Sequence, residues 1–99
     1  MSTDYSKISD FEINCEVAKA NNWSSKSFVH EIHSGKWNPC QNPADAWPII
    51  VEERIRLNPI LYTKWIAEDY LEDFSFTDTN PLRAAMIVFL MMQESKNAS

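Results

Sequence analysis

The sequence is poor in residues that several common functions require. It contains one glycine, Gly35, and two cysteines, Cys15 and Cys40, among 99 residues. A Walker loop and a dinucleotide-binding fingerprint each need at least two glycines, so both kinds of nucleotide site are excluded. Two cysteines are too few for a disulfide framework, and we expect free thiols in a reducing cytoplasm.

Long apolar runs and basic clusters are also missing. The longest apolar run covers residues 84–92, about half the length that a bilayer-spanning helix needs. The start of the chain, residues 1–7, is polar and is not followed by the apolar stretch of a signal peptide. We therefore expect a soluble cytoplasmic protein without membrane contact. The net charge of −5 argues against unaided binding to nucleic acid, whose phosphates attract positive charge.

Two segments carry clear helix signals. Ser9 followed by Glu12 forms a capping box, which predicts a helix over 10–21. The pair Asn80-Pro81 joins a good N-cap to a proline at the first helical position, which predicts a helix over 80–94. Apolar residues cover almost the whole circumference of this second helix, so we expect it at the centre of the core.

The helix expected after Asn42-Pro43 contains a second proline, Pro48. Apolar residues at helical spacing from Trp47 onward favour a kinked helix over 43–54, with Trp47 in the core. The alternative is a single turn at 43–46 followed by an extended segment over 49–57.

The other segments show strand-like patterns. Residues 27–33 alternate so that His30 and His33 lie on opposite faces, which predicts a strand. Residues 61–76 fit two descriptions. An isoleucine or aromatic residue recurs every four positions from Tyr62 to Phe74, as in a helix, whereas residues 65–71 alternate as in a strand. Periodicity alone leaves that choice open.

Several blocks of the sequence are long and distinctive. They read NPADAWPIIVE at 42–52 and NPLRAAMIVFLMM at 80–92, with DYS at 4–6 and SDFEIN at 9–14. These blocks resemble the phage NinX family, small accessory proteins of lambdoid phages and prophages. The resemblance implies an accessory role in the cytoplasm of a bacterial host and supplies no catalytic residues. Residues 22–37 and 56–79 match less well.

A looser similarity extends to phage proteins built as an α-β-α sandwich with a short antiparallel sheet. It implies strands near 54–57 and 64–67, against the four-residue spacing. We therefore expect an α+β fold, in which three helices pack on a small antiparallel sheet in a sandwich-like arrangement. Residues 1–99 would form one domain, frayed at 1–7 and 95–99.

Few residues suggest a chemical site. His30 and His33 with Cys15 and Cys40 suggest zinc, but a zinc site needs four ligands at fixed geometry, and residues three apart on a strand point to opposite faces. A nucleophilic pair of Cys40 with either histidine lacks a visible group that lowers the thiol pKa. We expect no metal, no cofactor and no catalytic residue, and hence no enzyme.

Acidic residues concentrate in one late segment. Between residues 68 and 78 the sequence has no basic residue and five acids: Glu68, Asp69, Glu72, Asp73 and Asp78. Their spacing lacks the EF-hand pattern and its glycine, so we interpret them as a solvated face. An acidic surface can also attract a basic host protein.

Three residues are candidates for partner contact. Trp23 and Trp37 lie in polar, loop-like surroundings, where an exposed tryptophan is a frequent interface anchor. Arg83 stands in the first turn of a helix, against its dipole, so it either pairs with an acid such as Asp45 or Asp78 or reaches a ligand.

These observations favour a non-enzymatic phage accessory protein that binds a host or phage protein. The alternative is a nucleic-acid-associated factor in phage recombination or replication, which would stack bases on Trp23, Phe28, Trp37 and Trp65. Such binding must weaken steeply with salt, because phosphate contacts supply its affinity. The oligomeric state stays open.

Overall fold

The computed structural model of the chain describes residues 4–21 and 26–98. A 3₁₀ turn at Tyr5–Lys7 comes first in this part of the chain. It is followed by α1 (Asp10–Ala20), α2 (Lys26–Ser34), α3 (Pro43–Glu53), β1 (Arg56–Pro59), β2 (Trp65–Glu68), β3 (Ser75–Asp78) and α4 (Pro81–Ala98). The α+β class predicted from the sequence is confirmed, with four helices in the described residues rather than three.

Three helices begin at the polar residues that the sequence indicated. The Ser9 hydroxyl accepts a hydrogen bond from the Glu12 N–H at 3.2 Å, as the capping box requires. The Asn42 side chain accepts from the Ala44 N–H at 3.0 Å, and the Asn80 side chain accepts from the Leu82 N–H at 2.9 Å. Each cap satisfies a backbone donor that the first helical turn leaves unpaired, so these helix starts are fixed locally.

Helix α4 forms the centre of the core, as predicted. Its residues from Ala84 to Leu90 are all buried, and it contacts the three strands as well as α1 and α3. The helix continues to Ala98, past the end expected near residue 94. Residues 93–96 include good helix formers, and the Tyr5 hydroxyl donates a hydrogen bond to the Glu94 carboxylate within this last part.

The sheet is antiparallel in the order β1-β2-β3. Leu57, Ala67 and Phe76 stand opposite one another across the strands and pack with the core. The strands expected near 54–57 and 64–67 are confirmed within two residues, whereas β3 was missed and the helix through residues 62–74 is wrong. The reason is that cross-strand neighbours, which no local window contains, decide between the two periods.

The strand predicted over 27–33 is wrong, because these residues form α2. Their apolar positions also fit helical spacing, and α2 contacts α1, with Ile32 buried. Gly35, at a φ of 79°, ends the helix in a conformation that residues with a side chain rarely adopt. Tertiary packing therefore settled a choice that a seven-residue pattern could not.

Candidate functional site

The outer face of α3 carries a stripe of exposed apolar side chains. The side chains of Trp47 and Val51 are 61% and 55% exposed, and Ala44 and Pro48 are exposed as well. These four residues, called here the α3 stripe, follow the spacing i, i+3, i+4 and i+7. That spacing places them on one face of a helix, where they form a continuous apolar surface.

The opposite face of the same helix is the one that packs inward. Ala46, Ile49 and Ile50 are buried, and α3 contacts α4. At about 100° per residue, this buried face points away from the α3 stripe. A helix that is apolar on two opposite faces is typical of an element covered on both sides.

The core position predicted for Trp47 is wrong. The helix over 43–54 is confirmed, ending at Glu53, and the alternative of a single turn followed by an extended segment is wrong. Because α3 is apolar almost all round, spacing could not decide which side faces inward. Ile49 and Ile50 take the inner positions, and Trp47 is left outside.

The surroundings of the α3 stripe are polar on one side only. Glu52 is exposed beside it, while the Asp45 carboxylate accepts a hydrogen bond from the Asn38 N–H at 2.9 Å. Pro48 has no N–H, so it cannot make the usual hydrogen bond to the carbonyl of Ala44 one turn earlier. The stripe therefore combines an apolar surface with a flanking acid.

A second group of exposed apolar side chains lies at the turn between β1 and β2. Ile60, Leu61 and Tyr62 are 46%, 67% and 108% exposed, and they occupy consecutive positions in a short loop. They share no helix face or strand face. The side chains of this loop therefore form a less regular surface than the α3 stripe.

The tryptophans predicted for partner contact differ in position. Trp37 is half-buried and packs against the core. Trp23 lies outside the described residues, as does the side chain of Phe28. Trp65 is half-buried on β2. Partner contact by Trp23 and Trp37 stays a prediction.

Arg83 points inward. Its side chain is 13% exposed, its Nη1 lies 2.6 Å from Asp10 Oδ1, and its Nε lies 3.7 Å from Asp78 Oδ1. Its Nη2 also donates to the backbone carbonyls of Tyr5 and Ile8. We call this set of contacts the Arg83 junction.

The Arg83 junction confirms the expected ion pair with Asp78 but not the one with Asp45. Asp10 was missed, because it lies 73 residues away in sequence and no local pattern connects the two. The guanidinium already has four partners inside the protein, so Arg83 is not part of the candidate surface. Its role in partner binding stays a prediction.

The cysteines and histidines show no arrangement for catalysis or metal binding within the described residues. Burial raises the pKa of the Cys40 thiol to about 12 and also raises that of Cys15, which disfavours the reactive thiolate. His30 and His33 lie three residues apart on a helix rather than on a strand, so they do not point to opposite faces as predicted. No group of three or more possible metal ligands comes together in residues 4–21 and 26–98.

Most of the chain matches the model of a known protein family. The model of the family described as "Bacteriophage P22, NinX" matches residues 4–93. The chain belongs to the NinX family. The resemblance seen in the sequence is thus confirmed, and the match also spans the two segments that resembled the family less. All of α1, α3 and the sheet lie within this NinX region.

Neither the curated proteins nor the solved structures contain a significant match to this NinX chain. In the part of the chain that is described, no helix is both long enough and apolar enough to cross a membrane.

Proposed function

We propose that this NinX protein is a non-enzymatic phage accessory protein that binds a host or phage protein through the α3 stripe. The observation that carries the proposal is the second apolar face of α3, with Trp47 at its middle. Tryptophan is the residue most enriched among those that dominate binding energy at protein interfaces. Single exposed apolar residues are ordinary, whereas four on one helix face form a contiguous patch.

The charge and chemistry of the protein support binding rather than catalysis. The two thiols have raised pKa values, and one acid of the β2–β3 segment stabilises the turn itself, because the Asp69 carboxylate accepts from the Phe74 N–H at 2.8 Å. The alternative, a nucleic-acid-associated factor, draws less support from the geometry, because Trp37 packs against the core and Trp65 is half-buried.

The test compares two variants that each remove one exposed aromatic side chain. Trp47→Ala removes the centre of the α3 stripe, and Tyr62→Ala removes an even more exposed ring from the β1–β2 turn. Both side chains are exposed, so we expect each variant to keep its stability within about 0.5 kcal/mol. Lysate of the host, with and without phage infection and with and without nuclease treatment, is passed over each immobilised protein.

We expect one protein to be retained in near-stoichiometric amount by the wild type and by Tyr62→Ala, and to be lost with Trp47→Ala. Retention by all three proteins would place the contact outside the α3 stripe and contradict the proposal. A retained species that nuclease removes would favour the nucleic-acid alternative.

A further inference from the structure

A groove runs between α1 and α4. None of the residues that line it belongs to α3, so it is separate from the α3 stripe. It encloses about 610 Å³. Its walls come from Phe11, Glu12, Cys15 and Glu16 on α1 and from Leu90 and Glu94 on α4. These positions follow helical spacing on each helix, so the groove lies along two helices rather than forming a closed pocket.

The floor of the groove is apolar and partly open to solvent. Phe11 is 42% exposed, Cys15 is half-buried and Leu90 closes the base at 6% exposure. The Phe11 ring also packs against the ring of His33 at 4.8 Å between centroids, which holds it at the edge of the groove. Apolar side chains fixed in this way offer contact area to a ligand at little cost in lost side-chain freedom.

The rim of the groove is acidic. Glu12, Glu16 and Glu94 line it together with one cation, Lys19, which lies 3.3 Å from the Glu16 carboxylate. The groove therefore keeps a net negative charge, within a chain whose net charge is −5. A ligand that fills it must combine an apolar face with positive charge at its sides.

We propose that this groove binds a basic amphipathic helix of another protein. Along α1 the lining extends from Phe11 to Ala20, about 14 Å at 1.5 Å per residue, which matches about two and a half turns of a bound helix. An apolar face with anchors at i, i+3, i+4 and i+7 fits between two helices. A second copy of this chain would bring acidic surface to an acidic rim, and anionic lipid headgroups would be repelled as well.

The test uses a fluorescent peptide of about 14 residues, with leucines on one helix face and lysines on both sides of it. Binding is followed by fluorescence anisotropy against the full-length protein. One control peptide has the same composition in scrambled order, and another carries glutamate in place of lysine. We expect saturable one-to-one binding of the amphipathic basic peptide below about 100 µM, and at least tenfold weaker binding of both controls.

Matched variants separate the groove from general electrostatic attraction. Glu12→Gln with Glu16→Gln removes two charges from the rim, and Glu72→Gln with Asp73→Asn removes two exposed charges elsewhere. We expect at least tenfold weaker binding from the first pair and less than twofold change from the second. Phe11→Ala should also weaken binding at least fivefold.

Equal losses from the two charge pairs, equal binding of the scrambled peptide, or no saturable binding would each overturn the proposal. The inference does not rest on the function proposed for the α3 stripe. Trp47→Ala should leave peptide binding unchanged, so the two proposals fail separately.

Discussion

Cys40 is a buried residue whose backbone is held by hydrogen bonds from two directions. The residue is fully buried, its N–H donates to the Asn14 side chain at 3.4 Å, and its carbonyl accepts from the Asn80 side chain at 2.7 Å. Burial is also the main reason that its thiol pKa rises from 9.0 to about 12. The residue joins the loop before α3 to α1 and to the start of α4.

The raised pKa of Cys40 makes the stability of the protein depend on alkaline pH. Below pH 9 the thiol is protonated in both the folded and the unfolded chain, so its contribution to stability is fully present. Between about pH 9 and 12 the unfolded chain releases this proton first, and stability falls by up to about 1.4 kcal/mol per pH unit.

We therefore expect wild-type protein to lose about 2 kcal/mol more than Cys40→Ala between pH 8 and pH 10.5. Urea unfolding at the two pH values measures the difference. Cys15→Ala is the control and should keep most of the wild-type loss. Equal losses for wild type and Cys40→Ala would contradict the assignment.

At the scale of elements, α3 ends in an unusual way. Arg54 follows the helix with φ 56° and ψ 44°, in the left-handed region, and its N–H donates to the last turn of α3. This conformation turns the chain into β1. Glycine is the residue that adopts it with least strain, and here a residue with a side chain occupies the position.

Arg54→Gly should stabilise the protein by about 0.5–1 kcal/mol, since the relief of left-handed strain exceeds the added freedom of the unfolded chain. Arg54→Ala keeps the strain and serves as the control, with a change below about 0.5 kcal/mol. Thermal unfolding of the three proteins provides the comparison. A loss of stability in the glycine variant would mean that the Arg54 side chain stabilises the protein by more than its left-handed backbone conformation destabilises it.

The elements that sequence reasoning placed correctly are those with local signals. Ser9, Asn42 and Asn80 begin helices because a side-chain oxygen and a backbone N–H only a few residues apart form the cap. The strands β1 and β2 were placed with help from a structural analogy. α2 and β3 were missed because their short patterns fit both periods, and contacts with distant elements decided between them.

The candidate surface was harder to foresee than the fold. Trp47 was expected in the core because it stands in an apolar helix, and such a helix gives no indication of which side faces inward. One signal was available: residues 44, 47, 48 and 51 and residues 46, 49 and 50 form two separate apolar faces. A helix that packs against the core on one side needs only one apolar face, so the second face indicated a further contact.

At the scale of the whole molecule, the Arg83 junction ties four parts of the chain together. Through one guanidinium, α4 holds the carbonyls of Tyr5 and Ile8, the start of α1 at Asp10 and the end of β3 at Asp78. The N-terminal end of the described chain is thereby fixed to the start of the central helix α4. Charged hydrogen bonds in a half-buried setting contribute more than exposed ion pairs.

Arg83→Ala should destabilise the protein by about 3 kcal/mol, because it removes the charged donor that two partly buried carboxylates and two backbone carbonyls share. The matched control is Arg56→Ala, which removes an exposed ion pair with Glu72 at 3.2 Å and should cost less than about 1 kcal/mol. Urea unfolding measures both. Similar losses in the two variants would show that the Arg83 junction contributes no more than a surface pair.

The position of α4 in the chain has a consequence for synthesis. A ribosome makes α1, α2, α3 and the three strands before it makes the helix on which most of them pack. Until residues 81–98 have emerged, the apolar faces of the earlier elements have no common partner, and the nascent chain exposes them to chaperones and proteases. A chain that stops between Asp78 and Pro81 should therefore be degraded rather than accumulate as a shorter folded form.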